Sequence, residues 1–139
     1  MKKIIVILFL LVSISVIVNE KENILIPKDA IRFRIIANSD SMEDQELKLT
    51  IKNDVEKELF TLLKGAETID EARNRINDNI NSIKKIVDKY NVRYDITYGN
   101  NYFPTKEYKG VNYTEGNYES LVVKLGEGKG ENFWCVLFP

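Results

Sequence analysis

Residues 30–39 read AIRFRIIANS. Successive strand side chains point to opposite faces, so Ile31, Phe33 and Ile35 fall on one side and Arg32, Arg34 and Ile36 on the other. The segment predicts a strand with one dry face and one amphiphilic face. The polar run Asn38-Ser39-Asp40-Ser41 ends it. Later elements of the chain must cover the Ile/Phe face and leave the arginine face for something else.

Two helical patterns come next. Ser41 suits an N-cap, with Glu43 and Asp44 at the positive end of the helix dipole. Leu47, Ile51, Val55, Leu59 and Leu62 then form an apolar stripe that Gly65 stops. Thr68 and Glu71 make a capping box for a second helix. Its apolar positions are Ile69, Ala72, Ile76, Ile80, Ile83, Val87 and Tyr90. Two such stripes side by side point to two helices on a common sheet rather than to a coiled coil.

The period then switches from helical to alternating. VRYDITYG (92–99) alternates, YESLVVKLG (118–126) alternates, and NFWCVLFP (132–139) is apolar on both faces. A strand dry on both sides is expected inside a sheet. GEGKGEN (126–132) leads into a strand and not into a helix, so it predicts a hairpin turn rather than a phosphate loop. The expected fold is α+β: two helices on one face of a mostly antiparallel sheet of about four strands, in the order β-α-α-β-β-β. It makes one domain over residues 30–139.

Ahead of it, Lys2 and Lys3 precede the uncharged run IIVILFLLVSISVIV (4–18). As a helix that run spans roughly 22 Å, short of the ~30 Å hydrocarbon core. Residues 1–18 are expected to be a signal peptide or a membrane anchor, with Ser13-x-Ser15 as a small-x-small cleavage site. Either reading exports the rest of the chain and gives it transient membrane contact. Residues 19–29 read as a linker that Pro27 keeps non-helical.

Composition narrows the chemistry. The 139 residues include no histidine and one cysteine, Cys135. That removes a Ser–His–Asp triad, a Cys–His dyad, a His-ligated metal site and an internal disulfide. Between large apolar neighbours, Cys135 reads as a quiet core thiol, with an intermolecular disulfide as the alternative. The net charge of −1 makes no case for nucleic acid. Asp40, Glu43, Asp44 and Glu46 could supply oxygen ligands to calcium, but they lack the EF-hand spacing, and an acidic helix start explains them. No metal and no cofactor is expected.

YGNNYFPTKEYKGVNYTEGNY (98–118) is tyrosine-dense and punctuated by Asn, Gly and Pro. It reads as a long ordered loop or an irregular ribbon. Its rings suit either a binding surface or packing over the open sheet face. Asn112-Tyr113-Thr114 matches a glycosylation sequon. Glu107, Glu115, Glu119 and Glu127 lie near these aromatics, yet nothing places two of them at glycosidase spacing.

IRFRIIANSDSMEDQELKLTIKNDV (31–55) and GNNYFPTKEYKGVNYTEGNYESLVVKLGEGKGENFWCVLFP (99–139), together with the leader, resemble the stage II sporulation protein R family of endospore-forming bacteria. The resemblance covers residues 31–139. Family members usually carry a second Trp where Phe133 stands and run past Val136-Leu137-Phe138-Pro139.

The resemblance implies a signalling protein exported from the forespore into the space between two membranes. There it activates a membrane-embedded aspartic protease of the mother cell, which removes the pro-sequence of a sporulation sigma factor. It implies no enzyme activity and supplies no catalytic residues. The residues expected to touch that partner are Arg32 and Arg34 on the open face, with Tyr102, Phe103, Tyr108 and Trp134. The competing reading is an extracytoplasmic protein that binds cell-wall glycan, or processes it with carboxylates, through the same aromatics.

Overall fold

The Ile31–Ile36 strand lies at the centre of a four-stranded sheet. In this computed structural model, residues 22–24, 26–108 and 111–139 are described; the leader at 1–18 lies outside them. In chain order the elements are β1 (Glu22–Ile24), β2 (Ile31–Ile36), α1 (Met42–Leu63), α2 (Ile69–Asp78), α3 (Ile80–Asp88), β3 (Tyr94–Phe103), β4 (Lys106–Tyr108), β5 (Val111–Tyr113), β6 (Gly116–Leu125) and β7 (Asn132–Phe138). The described residues form two compact units, one with Ile26–Phe103 and Gly116–Pro139 and one that joins Glu22–Ile24 with the segment between Pro104 and Glu115.

In the larger unit the strand order is β3-β6-β2-β7. β6 is antiparallel to β3 and parallel to β2, and β2 is antiparallel to β7. The fold is α+β with a mostly antiparallel sheet, as the alternations predict. Ile31, Phe33 and Ile35 of β2 pack with Leu121, Val123 and Leu125 of β6. Against them lie Ile51, Val55 and Leu59 of α1, Ala72 and Ile76 of α2, and Ile83 and Val87 of α3. These are the stripe positions of the sequence, nearly residue for residue.

The caps also match the sequence. The Asp44 N–H donates to Ser41 Oγ at 3.1 Å. The Glu71 N–H donates to Thr68 Oγ1 at 3.2 Å, and the Glu67 N–H donates back to Glu71 Oε2 at 3.0 Å. Gly65 has φ +80°, a left-handed conformation that ends α1. The second predicted helix is divided at Asn79, whose backbone leaves helical values (φ −116°, ψ 14°) while its side chain donates to the Arg75 carbonyl at 2.7 Å. Three helices therefore cover the sheet where two were expected. The apolar stripe runs through the break, because Ile76 and Ile83 stay on the core side.

Two strand expectations are corrected. β6 and β7 do not form a hairpin: β2 lies between them. The connection Gly126–Glu131 therefore spans two strand spacings, roughly 10 Å, and straddles the exit of β2. It is tied down there. Lys129 N–H donates to the Asn38 carbonyl, Gly130 N–H to the Ala37 carbonyl, Glu127 N–H to Asn38 Oδ1 and Glu131 N–H to Asp40 Oδ1, all at 2.8–3.1 Å. The phosphate-like glycines and the calcium-like acidic loop are the two halves of one latch.

β7 is also an edge strand, not an interior one. It is apolar on both sides because its outer face joins an aromatic cluster. A register shift at Ile31/Arg32 gives β7 one extra residue there, and both Leu137 and Phe138 pack toward the core.

The tyrosine-rich segment is more regular than a loop. β3 runs on to Phe103, paired with Gly116 at the last rung of β6. In the smaller unit, β5 pairs antiparallel with β4 and parallel with β1. β1 thus puts a strand into the stretch read as a linker at 19–29. Among the described residues no helix is long and apolar enough to cross a membrane.

Candidate functional site

Period-two alternation carries Arg32 and Arg34 onto the sheet face opposite the helices. Cross-strand register then sets their neighbours: Arg32 opposite Val136 and Ser120, Arg34 opposite Trp134 and Val122. Phe103 and Tyr118 reach the same face from the ends of β3 and β6. Phe103 stands edge-on to Tyr118 (centroids 5.9 Å, 89°) and to Trp134 (5.4 Å, 74°). The Arg32 guanidinium carbon lies 4.1 Å from the Phe103 centroid, 4.8 Å from Tyr118 and 5.6 Å from Trp134. That of Arg34 lies 5.5 Å from Trp134 and 5.8 Å from Phe103.

The cluster is interior in character. Phe103 is fully buried, Arg32 is 3% exposed, and Arg34 and Trp134 are half-buried. Arg32 Nε and Nη1 and Arg34 Nε are buried with no hydrogen-bond acceptor. Burial holds both guanidinium groups below their ordinary pKa, with Arg34 adding a smaller like-charge effect on Arg32. Ser120, fully buried beside them, is occupied: it accepts from Asn101 Nδ2 at 2.9 Å and donates to the Tyr118 carbonyl at 3.2 Å. The Tyr118 hydroxyl donates to the Ile26 carbonyl at 3.4 Å.

Four of the six residues singled out in the sequence thus converge: Arg32, Arg34, Phe103 and Trp134. Tyr102 does not join them. It neighbours Phe103 on β3, so it points to the other face, and it is 52% exposed. Tyr108 belongs to β4 in the smaller unit. Tyr118 joins the cluster from outside those six. Its signal was present in the sequence: the Ser120/Val122/Lys124 alternation, carried back two residues, lands on Tyr118.

Two carboxylates of this domain, Glu119 and Asp44, are held by several protein donors. Arg73 of α2 grips Glu119 of β6 with two hydrogen bonds, Nε to Oε1 at 2.5 Å and Nη2 to Oε2 at 2.9 Å, and the Tyr98 hydroxyl donates to the same carboxylate at 2.7 Å. The Arg73 contact holds Glu119 below its ordinary pKa, and burial with the Glu119 bond pushes Tyr98 up. Asp44 accepts from Ser39 Oγ at 2.6 Å and Asn38 Nδ2 at 2.9 Å, which lower its pKa. Among the described residues no group of acidic or cysteine side chains is placed to hold a metal ion. Burial, helped by the adjacent Glu56 carboxylate, pushes the Cys135 thiol up to about 12.

The fold is a helix-backed α+β sheet whose other face buries two guanidinium groups among aromatic rings, and comparisons with known proteins give its family. The chain belongs to the stage II sporulation protein R family, whose model matches residues 27–139. It is 41% identical over 127 residues to the stage II sporulation protein R of Bacillus subtilis (strain 168). That match covers 87% of this chain and 57% of the relative, so the chain spans just over half the relative's length. No solved structure matches it. It is a sporulation protein.

Proposed function

We propose that the chain is an exported signal that switches on a membrane-embedded aspartic protease of the mother cell and so licenses processing of a pro-sigma factor. The leader at 1–18 delivers it from the forespore to the intermembrane space. It acts by contact, not by its own bond-breaking. A ligand shifts a protease toward its active state only through tighter binding to that state, so the contact surface must discriminate. Arg32, Arg34, Phe103 and Trp134, together with Tyr102 of β3 and Tyr108 of β4, are the proposed contact residues. The observation that carries this reading is the arginine pair buried without an anionic partner. A folded domain retains such an expense where a partner uses it.

The test is co-expression of this chain, the protease and its pro-protein substrate. Processing is expected with the full chain and absent when residues 1–18 are deleted. Tyr102→Ala, at an exposed position, is expected to abolish processing with the fold intact. Processing that persists with the leaderless chain retained in the cytosol would refute the reading.

A further inference from the structure

We propose that the Arg32–Arg34 pair is a carboxylate receptor, taking an acidic side chain from a segment of the partner protein. This rests on the contact function above and adds the chemistry of what is contacted.

Arg32 lies against the Phe103 and Tyr118 rings, and Arg34 lies within reach of Trp134. Aromatic rings attract a guanidinium electrostatically without accepting its in-plane hydrogen bonds. Those edge donors are the ones left over: Nε and Nη1 of Arg32 and Nε of Arg34 have no acceptor. A lysine so placed could shed its proton, but a guanidinium stays charged. The usual remedy for such a fork is a carboxylate or a phosphate, bound in the plane.

Among the described residues no carboxylate is bonded to either arginine. Glu119 is held by Arg73 and Tyr98, Asp44 by Ser39 and Asn38, and Glu56 by Lys52 at 3.0 Å.

The surroundings favour a protein carboxylate over an anionic membrane. A lipid surface is held by a broad patch of several basic residues. Here two arginines are walled by Phe103, Tyr118 and Trp134, while Lys48 and Lys52 belong to α1 on the other side of the sheet, where Lys48 donates to Gln45 and to the Glu131 carbonyl and Lys52 pairs with Glu56. Aromatic walls around a cation pair suit an acidic residue flanked by apolar ones. Half-buried Arg34 on β2 and Trp134 on the edge strand β7 mark the side from which it enters.

Trp134 is the only tryptophan in the chain, so its fluorescence reports on this face. The probe is a capped peptide with two glutamates between apolar residues, and its counterpart with two glutamines. Added to the purified full chain in mild detergent, the glutamate peptide is expected to change the emission saturably. The glutamine peptide should bind at least tenfold more weakly. Arg34→Gln and Arg32→Met should each abolish the response. The double variant R32M/R34M should unfold at the same or higher denaturant concentration, since apolar groups replace charges that lack partners.

Equal binding of both peptides, equal competition by phosphatidylglycerol vesicles or inorganic phosphate, or a marked loss of stability in R32M/R34M would each overturn the inference. A bound glutamate peptide with full activation by R32M/R34M would instead remove this face from the activation contact and leave the receptor standing. No peptide binding, with activation still abolished by Tyr102→Ala, would remove the receptor alone.

Discussion

At Gly130 an added Cβ would fall 2.2 Å from the Ser39 carbonyl oxygen, a backbone atom that cannot swing aside. At Gly65 it would meet nothing within 4 Å, and only the left-handed backbone (φ +80°) opposes a side chain. The two positions separate close approach from conformation. Gly65→Ala should cost about 1 kcal/mol. Gly130→Ala should cost about 3 kcal/mol, because the latch over β2 must also shift. Urea melts of the two variants check the ranking.

Cys135 gives a second test at this scale. With its thiol pushed up to about 12, it should alkylate at neutral pH far more slowly in the folded chain than in urea. Comparable rates in both would mean that the thiol is not held in the core. This quiet character was legible from Cys135's apolar neighbours. The role of Gly130 was not, because nothing local in GEGKGEN says that the backbone of another segment runs beneath it.

Among the elements, α2 is fastened to the sheet by more than its apolar stripe. Arg73 reaches across to Glu119 and is flanked by Asp70, with Nη1 to Oδ1 at 2.5 Å. Because Glu119 is held below its ordinary value of 4.5, its contribution is present above that pH and is lost as pH falls through the lowered folded value. Glu119→Gln should therefore lower the melting temperature by roughly 3–6 °C at pH 7, with a difference from the parent that shrinks toward zero well below pH 4. Thermal melts of both chains across that range check it; a difference independent of pH would mean that the glutamate acts by packing. Helix faces were legible because burial imposes a 3.6-residue period on the sequence. Strand order was not. A short glycine-containing connection reads as a hairpin whether or not a third strand lies between its ends, and β2 supplies that strand from some 85 residues upstream. The dry outer face of β7 misled for a related reason. It matches a buried strand in composition, but Trp134 faces an arginine–aromatic cluster instead of a second layer of helices.

At the scale of the whole molecule, the Pro104–Glu115 part of the smaller unit is an excursion from a continuous pairing. β3 and β6 stay in antiparallel register up to Phe103 opposite Gly116, and Pro104–Glu115 leaves and returns at that rung. Strand ends paired across one rung can be closed by a two-residue turn, for which Asn-Gly has the required left-handed geometry. Replacing residues 104–115 with Asn-Gly should therefore leave the larger unit folded. Its core lies wholly in residues 31–137, with no member from the excised stretch. The expected outcome is an unchanged helical signal in circular dichroism and a single cooperative unfolding transition. Loss of that transition would show that the larger unit depends on the excursion for its fold. Processing measured with the same variant then assigns the contact, because Tyr108 leaves with the excursion while Arg32, Arg34 and Trp134 remain. If the arginine face is the discriminating surface, activation should weaken with the loss of Tyr108 but not vanish, whereas R32M/R34M in the intact chain should abolish it.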